Sequence, residues 1–333
     1  MSSSIIPMDL EFTSVGRYVR SHFVTTTEIL RDAVGKPRAI MQANVRHRSQ
    51  IWPYMRAFLD SKATAFIVAV SEDARREYGV CVEDAAYLTA RTMDEYGWPS
   101  HDSRWASKRV AFNFDHAVTL NAAQGALEAG VSGIMYDPSE GGKRIISIEE
   151  NIGLSKPFVD LARRYRTGIE LEVGTIPGKR GIGEFTDPRM VAILVQAYPE
   201  ASVAVSVGNE HHRLSPRGRG LQLDLFQRIR EAVPGTPLVM HGGSGVSDED
   251  IETSIARLLL DKLNVGTEFM KTMLLTIASL RGMKEPTQGQ LKDISFCRDL
   301  LFHLDTHSNL YLHGIRKAVY DSVLEKLVFL TEI

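Results

Sequence analysis

The chain has 333 residues, 44% hydrophobic and 24% charged, with a formal net charge of −2. That is ordinary globular composition, long enough for one large α/β barrel or for two domains. The near-neutral balance, with no long basic run, excludes nucleic acid and an anionic membrane surface as default partners. Cys81 and Cys297 provide no disulfide framework, which fits a reducing compartment. No signal-peptide pattern opens the chain, and no window approaches the roughly 20 apolar residues that span a bilayer. A soluble, cytoplasmic protein is the expectation.

Residues up to Gly35 read as a helical lead-in. A threonine cap lies within Val24-Thr25-Thr26-Thr27-Glu28 before an amphipathic turn, and Gly35-Lys36-Pro37 stops it. Eight short apolar runs follow, at 38–45, 63–70, 109–115, 131–137, 168–174, 202–208, 237–243 and 260–267, each trailed by a helix-like segment. Runs such as Ser202-Val203-Ala204-Val205-Ser206-Val207 show little alternation, as strands buried on both faces do. Eight strand–helix alternations predict an α/β fold of the (β/α)8 TIM-barrel type. A doubly wound sheet would need fewer strands in this length. No Pro/Gly/Ser-rich linker cuts the chain, so residues 1–333 are expected to form a single barrel domain. The tail, about 270–333, reads as helices that pack over the barrel or against a second subunit.

Barrel active sites form at the C-terminal ends of the strands. The third strand ends in Asp115-His116, the fourth in Asp137, the sixth in Asn209-Glu210-His211-His212 and the seventh in His241. Three imidazoles with an open fourth position suit a catalytic zinc, and cobalt or iron would fit the same ligands. The remaining histidines, His22, His47, His101, His303, His307 and His313, read as surface or structural. In an extended segment the side chains of Asp115 and His116 diverge, which would place Asp115 beside the substrate as a proton donor. Its other reading is a carboxylate that orients an imidazole. Glu170 and Glu172 share one face of the fifth strand. Inside a barrel they are costly unless paired or near a cation. They would support the metal, share an alternative metal position with Asp137, or face solvent.

The stretch Pro237 through Val246 joins a strand to a glycine-rich turn. Gly242, Gly243 and Gly245 can take positive φ, and Gly242, Gly243 and Ser244 together make a phosphate cradle. Ser247 is a helix cap, with Asp250 in the capping-box position. At the eighth strand, Asn264 and Thr267 can donate hydrogen bonds, and Gly266 leaves the backbone open. Asn44, at the first strand's end, either reaches the same rim or caps a turn.

From about residue 36 to 269 these stretches resemble, in order, the class II zinc-dependent ketose-bisphosphate aldolases, which include fructose- and tagatose-bisphosphate aldolases. The resemblance is carried by Asp115-His116, Asp137-Pro138-Ser139, Ile148-Glu149-Glu150-Asn151-Ile152, Glu170-Leu171-Glu172-Val173-Gly174 and Phe185-Thr186-Asp187-Pro188. Val207-Gly208-Asn209-Glu210-His211, His241-Gly242-Gly243-Ser244-Gly245-Val246 and Asn264-Val265-Gly266-Thr267 complete the series. It implies a (β/α)8 barrel that forms homodimers or homotetramers and acts on a phosphorylated sugar. It implies Zn2+ on His116, His211 and His241, with a monovalent cation near the phosphate. Asp115 would transfer the aldol hydroxyl proton while zinc, as Lewis acid, stabilises the enediolate. Gly242, Gly243, Ser244, Asn264, Val265, Gly266 and Thr267 would hold dihydroxyacetone phosphate.

Two departures stand out. His212 occupies a position that is usually glycine and that helps bind the phosphorylated ketone. The loop 175–184 is short and basic, with Lys179 and Arg180, and Glu184 is its only acid, a candidate for moving the carbon-bound proton. The insertion 96–105, with Trp98 and Trp105, has no assigned role. Three readings follow: an aldolase for a phosphorylated ketose, a same-fold zinc lyase with another carbonyl donor, and a non-catalytic partner subunit.

Overall fold

The computed structural model describes residues 12–98, 105–140, 143–177, 183–211, 213, 220–306 and 309–332. Strands β1 Ile40–Asn44, β2 Ala65–Ser71, β3 Arg109–Asp115, β4 Gly133–Tyr136, β5 Gly168–Val173, β6 Ser202–Val205, β7 Leu238–Met240 and β8 Lys262–Val265 form a closed barrel in sequence order. Every neighbouring pair is parallel, and β1 closes on β8 through pairs such as Gln42 with Asn264. Seven strands lie within their expected runs, most of them shorter, and β2 runs one residue past its own, to Ser71. β7 keeps only three residues, which releases His241 and the glycines after it to the loop. All seven residues of β2 are buried, one face against the barrel interior and the other against helices.

The bottom of the barrel is plugged by the lead-in. Thr25 caps the helix Thr26–Arg31 with a full capping box closed by Glu28. That helix and the turn after it bury Ile29, Leu30 and Ala33 against Ile40, Ala65, Ile67 and Ala111 from three strands. Thr26 sits where β4 and β5 begin with glycine, and a Cβ on either Gly133 or Gly168 would collide with it.

The tail packs on the barrel's own helices. The helix Asn309–Thr331 lies along Ile51–Asp60 and Thr267–Leu280. It buries Ile315, Val319, Val323, Leu327 and Leu330, a stripe at helical spacing. The tryptophans of the 96–105 insertion have a packing role. Trp105 is buried, donates to the Tyr96 carbonyl at 2.8 Å and meets Trp98 edge to face. Ser247 does cap the helix Asp248–Ala256, accepting from Asp250 N. The capping box is not completed. Asp250, one methylene shorter than glutamate, accepts instead from Leu221 N at 3.1 Å. Among the described residues no helix is long and apolar enough to cross a membrane.

The plug makes a direct prediction. A Cβ at Gly168 would lie 1.9 Å from Thr26 Oγ1 and 2.9 Å from Thr27 N. Gly168→Ala should therefore destabilise the fold by about 1–3 kcal/mol in chemical denaturation. Thr26→Ala in the same chain should recover part of that loss.

Candidate metal and anion site

The strand ends converge on one cavity of about 450 Å³ at the C-terminal mouth of the barrel. β3 stops at Asp115, and His116 takes a left-handed conformation, φ 55°. The expectation of an extended Asp115-His116 segment is thus corrected. The pleat ends one residue early, because the chain must turn out of the sheet for Ala117 N to reach the Met135 carbonyl. Both side chains line the cavity as a result.

His241, directly after β7, is buried. Its Nδ1 lies 3.2 Å from His116 Nε2, and its Nε2 lies 2.8 Å from Glu170 Oε1. The ring of His211 is centred 5.2 Å from that of His116 and 5.5 Å from that of His241. The three histidines each offer a ring nitrogen within 4.8 Å of the others. Asn209, which sequence reasoning passed over, holds this corner. It accepts from Val207 N and donates to the carbonyls of Val205 and His241. Its place between Gly208 and the histidines was the available signal.

Glu170 and Glu172 are both buried, so the solvent-facing reading falls. Burial alone would push the Glu170 carboxyl up. The Lys262 ammonium at 2.6 Å and the bond from His241 outweigh it and bring the group down to about 2. Glu172 has no such partner. Burial, then the charges of Asp137, Glu170 and Asp115, raise its carboxyl well above the usual carboxylate range. Its Oε1 accepts from Ile176 N, while Oε2 has no partner. Two further clusters surround the histidines: Asp115, Glu170 and His241; and His116, Asp137 and Glu172. Three imidazoles facing a cavity, with buried carboxylates behind them, suit a divalent metal and match the donor set of catalytic zinc.

Beside the histidines lies the glycine turn. Gly242 takes φ 69°, where an added Cβ would meet the Glu210 carbonyl at 2.2 Å. Gly243 and Gly245 keep negative φ, because Gly243 through Gly245 wind into a 3-10 turn that needs one left-handed entry residue only. Gly242, Ser244, Asn264, Gly266 and Thr267 line the cavity. Gly243 and Val265 are buried behind that wall, since Val265 faces the core on alternation from Asn264. Neither amide atom of Asn264 has a partner, although the residue is buried. Ser244 Oγ accepts from Glu268 N and ties the two segments together.

Several expectations change. Asn44 lines the cavity, and its amide is partly committed. It donates to Asp115 Oδ2 at 2.8 Å and accepts from Gln42 at 3.1 Å, so it orients the acid, and one amide hydrogen is left for a ligand at the rim. Glu184 is not brought to the cavity wall. Its backbone pairs both ways with Thr175, which anchors it at the loop's base. His212, Lys179 and Arg180 lie outside the described residues. Of the other histidines, His22 bridges the Tyr18 carbonyl and Asp94, His47 caps a short 3-10 turn and His313 is exposed. His101, His307 and the side chain of His303 fall outside the description.

The raised carboxyl of Glu172 sets a pH dependence. The folded protein holds a proton that the unfolded carboxyl gives up near 4.5. The contribution of this group to the stability of the metal-free protein should therefore be fully present below that value and be lost as pH rises. Glu172→Gln, which can keep the Ile176 bond, should flatten the decline. It should raise metal-free stability at pH 8 by about 1–2 kcal/mol in denaturant titrations.

The chain is similar to known proteins. The family described as class-II fructose-bisphosphate aldolase matches residues 24–330. The fructose-bisphosphate aldolase of Mycoplasma pneumoniae is 31% identical over 227 residues, which cover 66% of this chain and 70% of that protein. That of Streptococcus pneumoniae is 36% identical over 163 residues, 48% of this chain and 53% of its own length. In three dimensions the fold is similar to the YdjI aldolase from Escherichia coli K12, with a TM-score of 0.70 and 24% identity over 93% of this chain and 97% of that one. With a family match across nearly the whole chain, the protein belongs to the class-II fructose-bisphosphate aldolase family and is an aldolase.

Proposed function

We propose that this aldolase cleaves, and in reverse forms, a carbon–carbon bond of a phosphorylated ketose, with a donor half resembling dihydroxyacetone phosphate. The observation that carries this reading is the convergence of three imidazoles, Asp115 and the Gly242–Asn264 wall on one cavity. His116, His211 and His241 would hold Zn2+. When bound, the ion supplies Lewis acidity, polarising the donor carbonyl and stabilising the charge that develops as the bond breaks.

Asp115 takes the hydroxyl proton in cleavage and returns it in condensation. The Asn44 amide fixes one of its oxygens, and Oδ1 has no partner. The wall of Gly242, Ser244, Asn264, Gly266 and Thr267 receives the phosphate, with a monovalent cation beside it. Anchoring the phosphate there orients the reacting carbons next to Asp115 and the histidines. The working unit in this reading is one barrel domain in a cytoplasmic homodimer or homotetramer.

Proton exchange tests the donor half. Zinc-loaded protein and dihydroxyacetone phosphate in deuterated water should lose one carbon-bound proton signal stereospecifically by NMR, and His241→Ala should abolish the loss. No exchange with zinc bound would assign the site to another carbonyl donor. Two variants separate the roles. His116→Ala should lose both metal and turnover. Asp115→Asn should keep its metal while turnover falls by roughly 10²–10⁴-fold.

A further inference from the structure

Lys262 opens β8 inside the barrel and is 1% exposed. Its ammonium contacts Glu170 Oε2 at 2.6 Å and Gln42 Oε1 at 2.7 Å. An ammonium only donates, so whatever it touches must accept. On one side, Glu170 accepts from Lys262 with one oxygen and faces His241 Nε2 with the other, at 2.8 Å. A carboxylate cannot donate, so Nε2 carries the ring hydrogen. The lone pair of the neutral ring then lies on Nδ1, the nitrogen turned toward His116.

On the other side, Gln42 Oε1 accepts from Lys262 and from Asn113 Nδ2 at 3.0 Å. The Gln42 amide nitrogen must then donate, and it reaches Asn44 Oδ1. That turns Asn44 Nδ2 toward Asp115 Oδ2. Two arms of hydrogen bonds, one ending at His241 and one at Asp115, thus meet at a single buried cation, which pairs with Glu170 as a carboxylate and holds Gln42 Oε1 as an acceptor.

We propose that Lys262 is a positioning residue that sets the hydrogen-bond polarity of the site, fixing His241 as the Nε2–H tautomer through Glu170 and Asp115 as an acceptor through Gln42 and Asn44. That Nδ1 then serves a metal rests on the function proposed above; the tautomer does not.

The test begins on the metal-free native protein. Two-bond ¹H–¹⁵N NMR should show His241 as Nε2–H alone, and an Nδ1–H signal would overturn the proposal. Lys262→Met alone would strand a buried carboxylate, so it is paired with Glu170→Gln. In this neutral variant the amide at position 170 can turn either way. Nδ1–H should appear, and the zinc Kd should rise about 10–100-fold. A folded double variant that keeps only Nε2–H, or keeps its zinc affinity, refutes the Glu170 arm.

Gln42→Met cuts only the second arm. Its tautomer and zinc Kd should stay within twofold of native, while kcat falls about tenfold or more with KM unchanged. Native kcat, or a disturbed His241, refutes that arm. If no phosphorylated ketose turns over even in the native protein, the proposed donor reading fails, and tautomer and zinc affinity still decide the role of Lys262.

Discussion

Charge sealed inside a barrel is the constraint on which the site depends. Asp115, Asp137, Glu170 and Glu172 are all buried near one mouth, where an uncompensated carboxylate is expensive to hold. Lys262 offsets Glu170, and the depressed carboxyl of Glu170 reflects it. Glu172 is left without that relief and is pushed the other way. The mouth is therefore a place where a further cation is welcome. The three imidazoles face it from separate strand ends, so the same imbalance that strains the metal-free protein favours filling the site.

Much of this could be read from the residues. Eight apolar runs gave the eight strands because strands buried on both faces carry no polar alternation to confuse them, as all seven buried residues of β2 illustrate. The histidines stood out because each comes at or just beyond the end of an apolar run. Less legible were features that depend on neighbours in space. The left-handed turn at His116 is set by the bond from Ala117 to Met135 across the sheet. The commitment of Asn44 to Asp115 joins two strands 71 residues apart. Glu184 carried the right chemistry, and its position was decided by backbone pairing with Thr175.

One signal in the sequence went unused. Four strands carry polar side chains two residues apart: Gln42 and Asn44, Asn113 and Asp115, Glu170 and Glu172, Lys262 and Asn264. On a strand that spacing is a single face. In a barrel whose outer face must meet helices, the polar face is the inner one. Taken together, the four pairs describe a polar interior layer beneath the metal ligands, which the Glu170 and Glu172 pair alone did not suggest.

The plug at the opposite mouth bears on how the molecule is assembled. The helix Thr26–Arg31 precedes every strand, yet it rests on glycines that open β4 and β5. Its first residues bond to Ser132 and its neighbour Val24 to Val110. Those partners lie some hundred residues further along, so the helix closes long loops when it docks. On a ribosome this early helix must wait for half of the barrel before the glycines that seat it exist.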